Sequence, residues 1–269
     1  MTLKEAIEKL RAAGVESADY DARELFRFYC PGAVMLNTEC DSPELLSAVE
    51  RRANREPLQY IIGEVGFYRE SYKVTPDCLI PRPDTETLVD YAVKNIPEGK
   101  TFLDLCTGSG CVAISTLKNT KDTTAIAVDI SGGALALATE NAFINGVDDR
   151  IHFRLADLTK EVIDEPVFAV LSNPPYVADS VYADLENEIF HEPKEAFVGG
   201  IDGGDFYRRL TPIYKEFIAE NGFIAYEIGY DQADLLKSIA KDCSMTCEIL
   251  KDLSGNDRVA VLRLKNTRA

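Results

Sequence analysis

From residue 101 onward the chain alternates short, almost wholly apolar runs with longer stretches whose apolar residues recur at helical spacing. The runs are TFLDLC, TAIAVDI, IHFRLADL, VFAVLSN, GFIAYEIG and RVAVLRLK. A strand with one solvated face alternates apolar and polar residues, so a continuous apolar run is a strand buried on both faces. Such strands separated by amphipathic helices predict an α/β domain with a mostly parallel sheet. Helices are expected from about 111, over GGALALATENAFINGV, at 205–221 and from 231. Ligands of these sheets lie beyond the carboxyl ends of the strands. The ends of the first four runs therefore share one rim.

The first sixty residues carry no strand signal. Thr2 and Glu5 form a capping-box pattern ahead of Leu3, Ala6, Ile7 and Leu10. A second helix is expected around 18–29, and a third with Ser42 as N-cap and Pro43 at its first position. We read a helical bundle over 1–58, a β-hairpin linker over 59–80, where glycines and prolines cluster, and the α/β domain over 81–269.

Bulk properties narrow the function. At 269 residues, 46% hydrophobic and 28% charged, the chain has the composition of a globular protein. It lacks the run of roughly 20 apolar residues that a membrane span needs, and it begins with a charged amphipathic segment rather than a secretory signal. A cytoplasmic protein without a membrane partner is expected. Seven scattered cysteines argue against a disulfide framework. With only His152 and His191 beside them, no metal site is expected. A net charge of −16 repels nucleic acid and favours a protein or small-molecule substrate.

The rim carries the chemistry. LDLCTGSGCVA (103–113) places Gly108 and Gly110 where the backbone can approach a ligand, ahead of a helix N-terminus with free amides. Gly108-x-Gly110-x-x-Ala113 also matches a dinucleotide fingerprint, so a nicotinamide-dependent dehydrogenase stays open on this turn alone. Asp129 ends the next strand, where a carboxylate can accept from two ribose hydroxyls or cap the following helix. Asp157 ends the third strand, positioned for an adenine amine or a simple turn, with Leu158 beside it to pack on the ring.

Asn173-Pro174-Pro175-Tyr176 ends the fourth run. A planar amide or aromatic amine is a poor nucleophile because its lone pair is delocalised. Holding both N–H groups with acceptors frees that pair for an electrophilic methyl. The Asn173 oxygen can take one N–H and the Pro174 carbonyl, stiffened by Pro175, the other. Tyr176 offers a flat stacking face.

With these residues in view, LDLCTGSG followed by SNPPY resembles class I S-adenosylmethionine-dependent methyltransferases that modify planar nitrogens. REPLQYIIGEVGFY, LIPRPDTETLVD, EPKEAFVGGIDGGDFYRRL, EIGYDQ and DLSGNDRVAV extend the likeness over essentially the whole chain. Together they resemble the glutamine methyltransferases of bacterial peptide-chain release factors. The resemblance implies a Rossmann-like, mostly parallel seven-stranded sheet with an N-terminal helical domain that docks the release factor. It implies methyl transfer to the glutamine amide of a Gly-Gly-Gln motif, with S-adenosylhomocysteine as product, and we expect a monomer. Cys106, Thr107, Gly108, Ser109 and Gly110 would surround the methionine end of the cofactor and Asp129 its ribose. Asp157 and Leu158 would flank the adenine. Asn173 to Tyr176 would hold the substrate amide, with Asn173 bordering the cofactor too, and Pro81 and Arg82 would line the same cleft.

Three departures stand out. Cys106 occupies a position where the family usually has glycine, Asp84 makes PDTE of the commoner PETE, and FYRESYKV lacks a frequent glycine. An adenine or guanine amine N-methyltransferase is the alternative, since it uses the same Asn-Pro-Pro-Tyr corner. It would need a basic groove, and RRANR at 51–55 is the densest positive cluster present.

Overall fold

The computed structural model describes residues 1–32, 35 and 37–265. The chain divides into two compact units, one of 1–64 with 186–192, the other of 65–185 with 193–269.

The first unit is built on α1 (Leu3–Ala12), α2 (Ala18–Tyr29), α3 (Pro43–Ala53) and the short α4 (Leu58–Ile62). Thr2 closes the expected capping box with Glu5, and Ser42 caps α3 through the Leu45 amide. Leu3, Leu10, Leu25, Phe26, Leu45 and Val49 meet in one apolar core. Across this unit runs an ion network with a buried centre at Arg52 and Asp21. Arg52 donates to Asp21 at 2.7 Å and to Glu188 at 2.9 Å, while Arg55 grips Glu188 at 2.6 and 2.8 Å. The scattered cysteines pointed away from disulfides, but Cys30 and Cys40 are bridged, with their Cα atoms 6.4 Å apart. The fold makes this pair. Cys30 ends α2, and Cys40 is held beside the N-terminus by backbone hydrogen bonds with Met1.

The stretch expected as a linker divides at Glu64. Residues 58–62 are helical in the first unit, and the hairpin β1 (Glu64–Phe67) and β2 (Glu70–Lys73) follows. Within the second unit the hairpin is anchored rather than free: Tyr72 shares a 2.6 Å hydrogen bond with Ser115, and the Lys73 amide donates to Asn141.

The second unit then continues α5 (Glu86–Asn95), β3 (Thr101–Leu105), α6 (Cys111–Lys118), β4 (Thr124–Asp129), α7 (Gly132–Asn145), β5 (Ile151–Leu155), β6 (Val167–Ser172), α8 (Asp179–Tyr182), α9 (Asp205–Tyr214), β7 (Ile218–Glu227), α10 (Ala233–Asp242), β8 (Met245–Lys251) and β9 (Asp257–Leu264). Seven strands form one sheet in the order β5-β4-β3-β6-β7-β9-β8, with only β9 running against its neighbours. Alternate residues of each strand serve opposite faces, because side chains repeat with period two. Phe102, Ala125, Ala127, Leu171 and Phe223 pack under α5, α6 and α7. Leu103, Ile126, Val128, Val170 and Ile224 pack under α9 and α10. The mostly parallel, doubly covered sheet expected from the apolar runs is therefore present. Among the described residues no helix is long and apolar enough to cross a membrane.

Two elements differ from the expectation. The helix read over 205–221 ends at Tyr214, because Ile218 is recruited into β7 by pairing with Val167. Phe217 and Ile218 fit a helical stripe and a strand equally well, and only the pairing decides. The seventh strand, β8, grows from the MTCEILK segment, whose half-buried edge position left it without a continuous apolar run.

Candidate active site

The order of strands reverses between β3 and β6, since the chain runs outward from β3 to β5 and returns on the other side at β6. A crevice opens at such a switch point. Parallel register sets the floor of the crevice. Leu105 pairs with Val128 on one side and Ser172 on the other, and Asp129 pairs with Leu155. Cys106, Asp129 and Asn173 thus leave the sheet at one level, with Asp157 just beyond β5.

A cleft of about 450 Å³ lies there, within the size range of small-molecule sites. Cys106, Thr107, Gly108, Ser109, Asp129, Asp157, Leu158, Asn173, Pro175, Pro81 and Arg82 all line it. Three expected residues stand back. Gly110 is buried at the N-cap of α6 with φ +81°, and a Cβ there would meet Ile114 at 2.9 Å and Ala138 at 3.2 Å. Pro174 is buried behind the corner. Tyr176 packs against the core under α9 and α10, and its hydroxyl donates to Glu227 at 3.2 Å.

The glycine turn is tied down by two carboxylates. Asp129 accepts the Gly108 amide at 2.8 Å and the Ser131 amide at 2.9 Å, so one side chain serves both the turn and the start of α7. Each oxygen keeps lone-pair capacity toward the cleft. Burial raises the Asp129 pKa, and these two amides oppose it. Asp104 lies below the turn, accepting Thr107 Oγ1 at 2.6 Å and the Ala113 amide at 3.2 Å. Cys106 adopts φ +60°, the left-handed conformation that explains the usual glycine at this position. Its side chain packs against the core that holds Tyr207 and Tyr226, and burial pushes the thiol pKa up.

The Asp157 carboxylate accepts from Lys160 at 2.7 Å and from the Thr159 amide and hydroxyl at 2.9 and 2.6 Å. Lys160 and then Thr159 bring its pKa down to about 2. It is a turn carboxylate that also borders the cleft. Asn173 donates from Nδ2 to Thr85 Oγ1 at 3.3 Å.

Sequence reasoning passed over Asp104, which lies inside an apolar run, and over Ile130 and Phe206, which line the cleft. Ile130 is 60% exposed directly after Asp129, an apolar side chain in a place where the only available signal was a strand end. Thr85 lies in the PRPDTE segment, where the resemblance pointed to Pro81 and Arg82 and gave no signal for the threonine.

Burial raises the Asp104 pKa to about 7, against the pull of Thr107 and Ala113. A carboxyl raised on folding costs nothing below its ordinary value of 3.8. It becomes a growing cost as pH rises from there to about 7. Asp104→Asn keeps an acceptor oxygen for both donors and removes the titration. Melting curves from pH 4 to 8 should show wild type losing ground to the variant across that window. Parallel curves would contradict the assignment.

Comparison with known proteins gives the family. Residues 83–203 match the family model of the methyltransferase small domain. The chain is 36% identical to a release factor glutamine methyltransferase of Thermodesulfovibrio yellowstonii, over 96% of this chain and 98% of that protein. It is also 36% identical to one of Caulobacter vibrioides, over 97% and 94%. Among solved structures, a ribosomal protein L11 methylase of Lactobacillus delbrueckii subsp. bulgaricus shares the fold, with a TM-score of 0.51 at 20% identity over 72% of this chain and 84% of that one. End-to-end identity above a third, on a chain that carries the glycine turn and the Asn-Pro-Pro-Tyr corner on one rim, shows that this protein belongs to the release factor glutamine methyltransferase family.

Proposed function

We propose that this protein transfers a methyl group from S-adenosylmethionine to the side-chain amide nitrogen of the glutamine in the Gly-Gly-Gln motif of bacterial peptide-chain release factors. The observation that carries the reading is the commitment of Asn173 Nδ2 to Thr85 inside the cleft, which reserves the side-chain oxygen as an acceptor.

The residues present fit the cofactor. Gly108 presents backbone without a Cβ, and Asp129 supplies acceptor capacity suited to a vicinal diol. Leu158 and Ile130 offer apolar surface for a flat base, with Asp157 at its edge. Bound there, S-adenosylmethionine supplies an electrophilic methyl. Asn173 Oδ1 takes one N–H of the glutamine amide, and the second is assigned to the carbonyl of Pro174, whose ring is buried behind the corner and does not line the cleft. Pro175 stiffens the corner, and Pro81 and Arg82 wall the same cleft. With both protons held, the nitrogen lone pair is free to attack, and no strong base is needed before the transfer. Catalysis then rests on positioning and on acceptors that strengthen as positive charge develops on nitrogen. Tyr176, set back from the cleft, buttresses the corner rather than stacking from its present position. The helical region 1–58 is assigned to docking the release factor, by a monomer working in the cytoplasm.

Incubation with methyl-labelled S-adenosylmethionine, separately with purified release factor, transfer RNA and DNA, tests the reading. Mass spectrometry is expected to place one methyl on the glutamine of the release factor. Label in nucleic acid alone would overturn the proposal.

A further inference from the structure

We infer that Thr85 and Glu227 are positioning residues for the methyl transfer, together fixing which end of the Asn173 carboxamide faces the cleft. This rests on the functional reading above.

A carboxamide is nearly symmetric in shape, but a half-turn exchanges an acceptor oxygen for a two-proton donor. Only one of these orientations can receive an N–H from the substrate, so something must choose. Thr85 is 2% exposed and closes the 3₁₀ turn Pro83–Thr85. Its Oγ1 accepts from Asn173 Nδ2 at 3.3 Å. A hydroxyl has one proton, and while Oγ1 accepts from Asn173 that proton must point elsewhere.

Glu227 provides the destination. Ser172 pairs with Tyr226, so Asn173 and Glu227 leave neighbouring parallel strands at the same level. Glu227 is 1% exposed, and its Oε1 accepts the Tyr176 hydroxyl at 3.2 Å. Oε2 is buried without a hydrogen-bond partner, an acceptor left over for the one proton that Thr85 does not share with Asn173, and the Thr85 hydroxyl acts to lower the carboxyl's pKa. An ionised carboxylate only accepts, so it fixes the Thr85 proton on itself and leaves the Thr85 lone pair for Asn173. A protonated Glu227 can donate instead, releasing the Thr85 proton toward Asn173 and favouring the wrong face of the amide.

The same EIGYDQ segment supports the other end of the corner. Gln232 Nε2 donates to the Tyr176 carbonyl at 2.9 Å while its Oε1 accepts the Gly229 amide at 2.9 Å. Two segments that carry the family likeness, PDTE and EIGYDQ, thereby converge on Asn173 and Tyr176.

The groups facing Glu227 are Arg258 from β9, Asp84 from the 3₁₀ turn, Tyr176, Tyr207, whose hydroxyl takes the Glu227 main-chain oxygen, and Cys111 at the start of α6. Burial raises the Glu227 pKa to about 7, opposed by Thr85, Arg258 and Tyr176 and assisted by Asp84. Turnover should therefore rise with pH through that region as the carboxyl ionises.

Steady-state methylation of purified release factor by the full-length enzyme, with titration of S-adenosylhomocysteine, tests the inference. Thr85→Val, close in shape but without the hydroxyl, should lower kcat roughly tenfold or more. Cofactor affinity should be retained, and Thr85→Ser should restore most of the rate. Glu227→Gln should lose the rise in kcat near neutral pH, an outcome readable even if the valine variant fails to fold. Thr85→Val with kcat within about twofold of wild type, Thr85→Ser as impaired as Thr85→Val, or an unchanged pH profile in Glu227→Gln would each overturn the positioning role. Wild-type enzyme that labels no release factor refutes the functional reading instead.

Discussion

Asn173→Ala is expected to lower kcat for release factor methylation by about 10²- to 10³-fold, in line with the loss of one preorganised transition-state partner. Binding of S-adenosylhomocysteine should be essentially unchanged, because Gly108, Asp129 and Leu158 lie elsewhere on the cleft and keep their contacts. The split follows from where charge appears. In the ground state the glutamine nitrogen lends its lone pair to the carbonyl, and its N–H groups are ordinary donors. As the methyl arrives, positive charge grows on nitrogen and the acceptor at Asn173 strengthens, so its loss falls on kcat more than on KM. Some activity should persist through the Pro174 carbonyl. Methyl-transfer kinetics beside a calorimetric titration decide the matter. A proportional fall in turnover and cofactor affinity would show that the side chain only shapes the cleft.

The largest effect on stability is expected from Arg52→Ala. Arg52 is 5% exposed and Asp21 3%, joined at 2.7 Å, and Arg52 also reaches Glu188 and the Glu56 carbonyl. Deleting the guanidinium leaves the Asp21 carboxylate buried with only the Ser17 hydroxyl as side-chain partner. An uncompensated buried charge of this kind costs about 3–5 kcal/mol. Glu188 suffers less, since Arg55 still holds both its oxygens. Hydrogen exchange in α2 and α3 should accelerate in the variant. The double variant Asp21→Leu, Arg52→Met should recover much of the protection, because the penalty lies in the orphaned charge rather than in the missing attraction. Unchanged protection in Arg52→Ala would show that water reaches Asp21 without unfolding.

Acid should act on the same network. Burial opposes ionisation of Glu188, but Arg55 and Arg52 win and bring its pKa to about 2. A lowered carboxyl contributes stability above its ordinary value of 4.5 and loses it as pH falls toward 2.

Much of this was legible in the sequence because the relevant physics is local. The Thr2–Glu5 capping box, the Ser42–Pro43 helix start and the two-sided strands follow from hydrogen-bond valence and side-chain period over a few residues. Gly108, Asp129 and Asn173 could be placed on one rim because parallel strands between helices have only one carboxyl end. The departure at Cys106 was legible as a residue standing where the family usually has glycine, but its left-handed φ of +60° appears only in the structure.

Other features required chain segments to meet. No local pattern around Cys30 or Asp21 announces its pairing with Cys40 or Arg52, because pairing across a loop or between helices leaves no periodic trace. Ile218 joined a strand instead of extending a helix because Val167 was there to pair with it. Local spacing and valence settled most of the elements and the rim. Which atom of Asn173 faces the cleft was decided only when Thr85 and Glu227 arrived from distant segments. An amide's orientation is set by the donors and acceptors around it in space, and sequence order does not encode them.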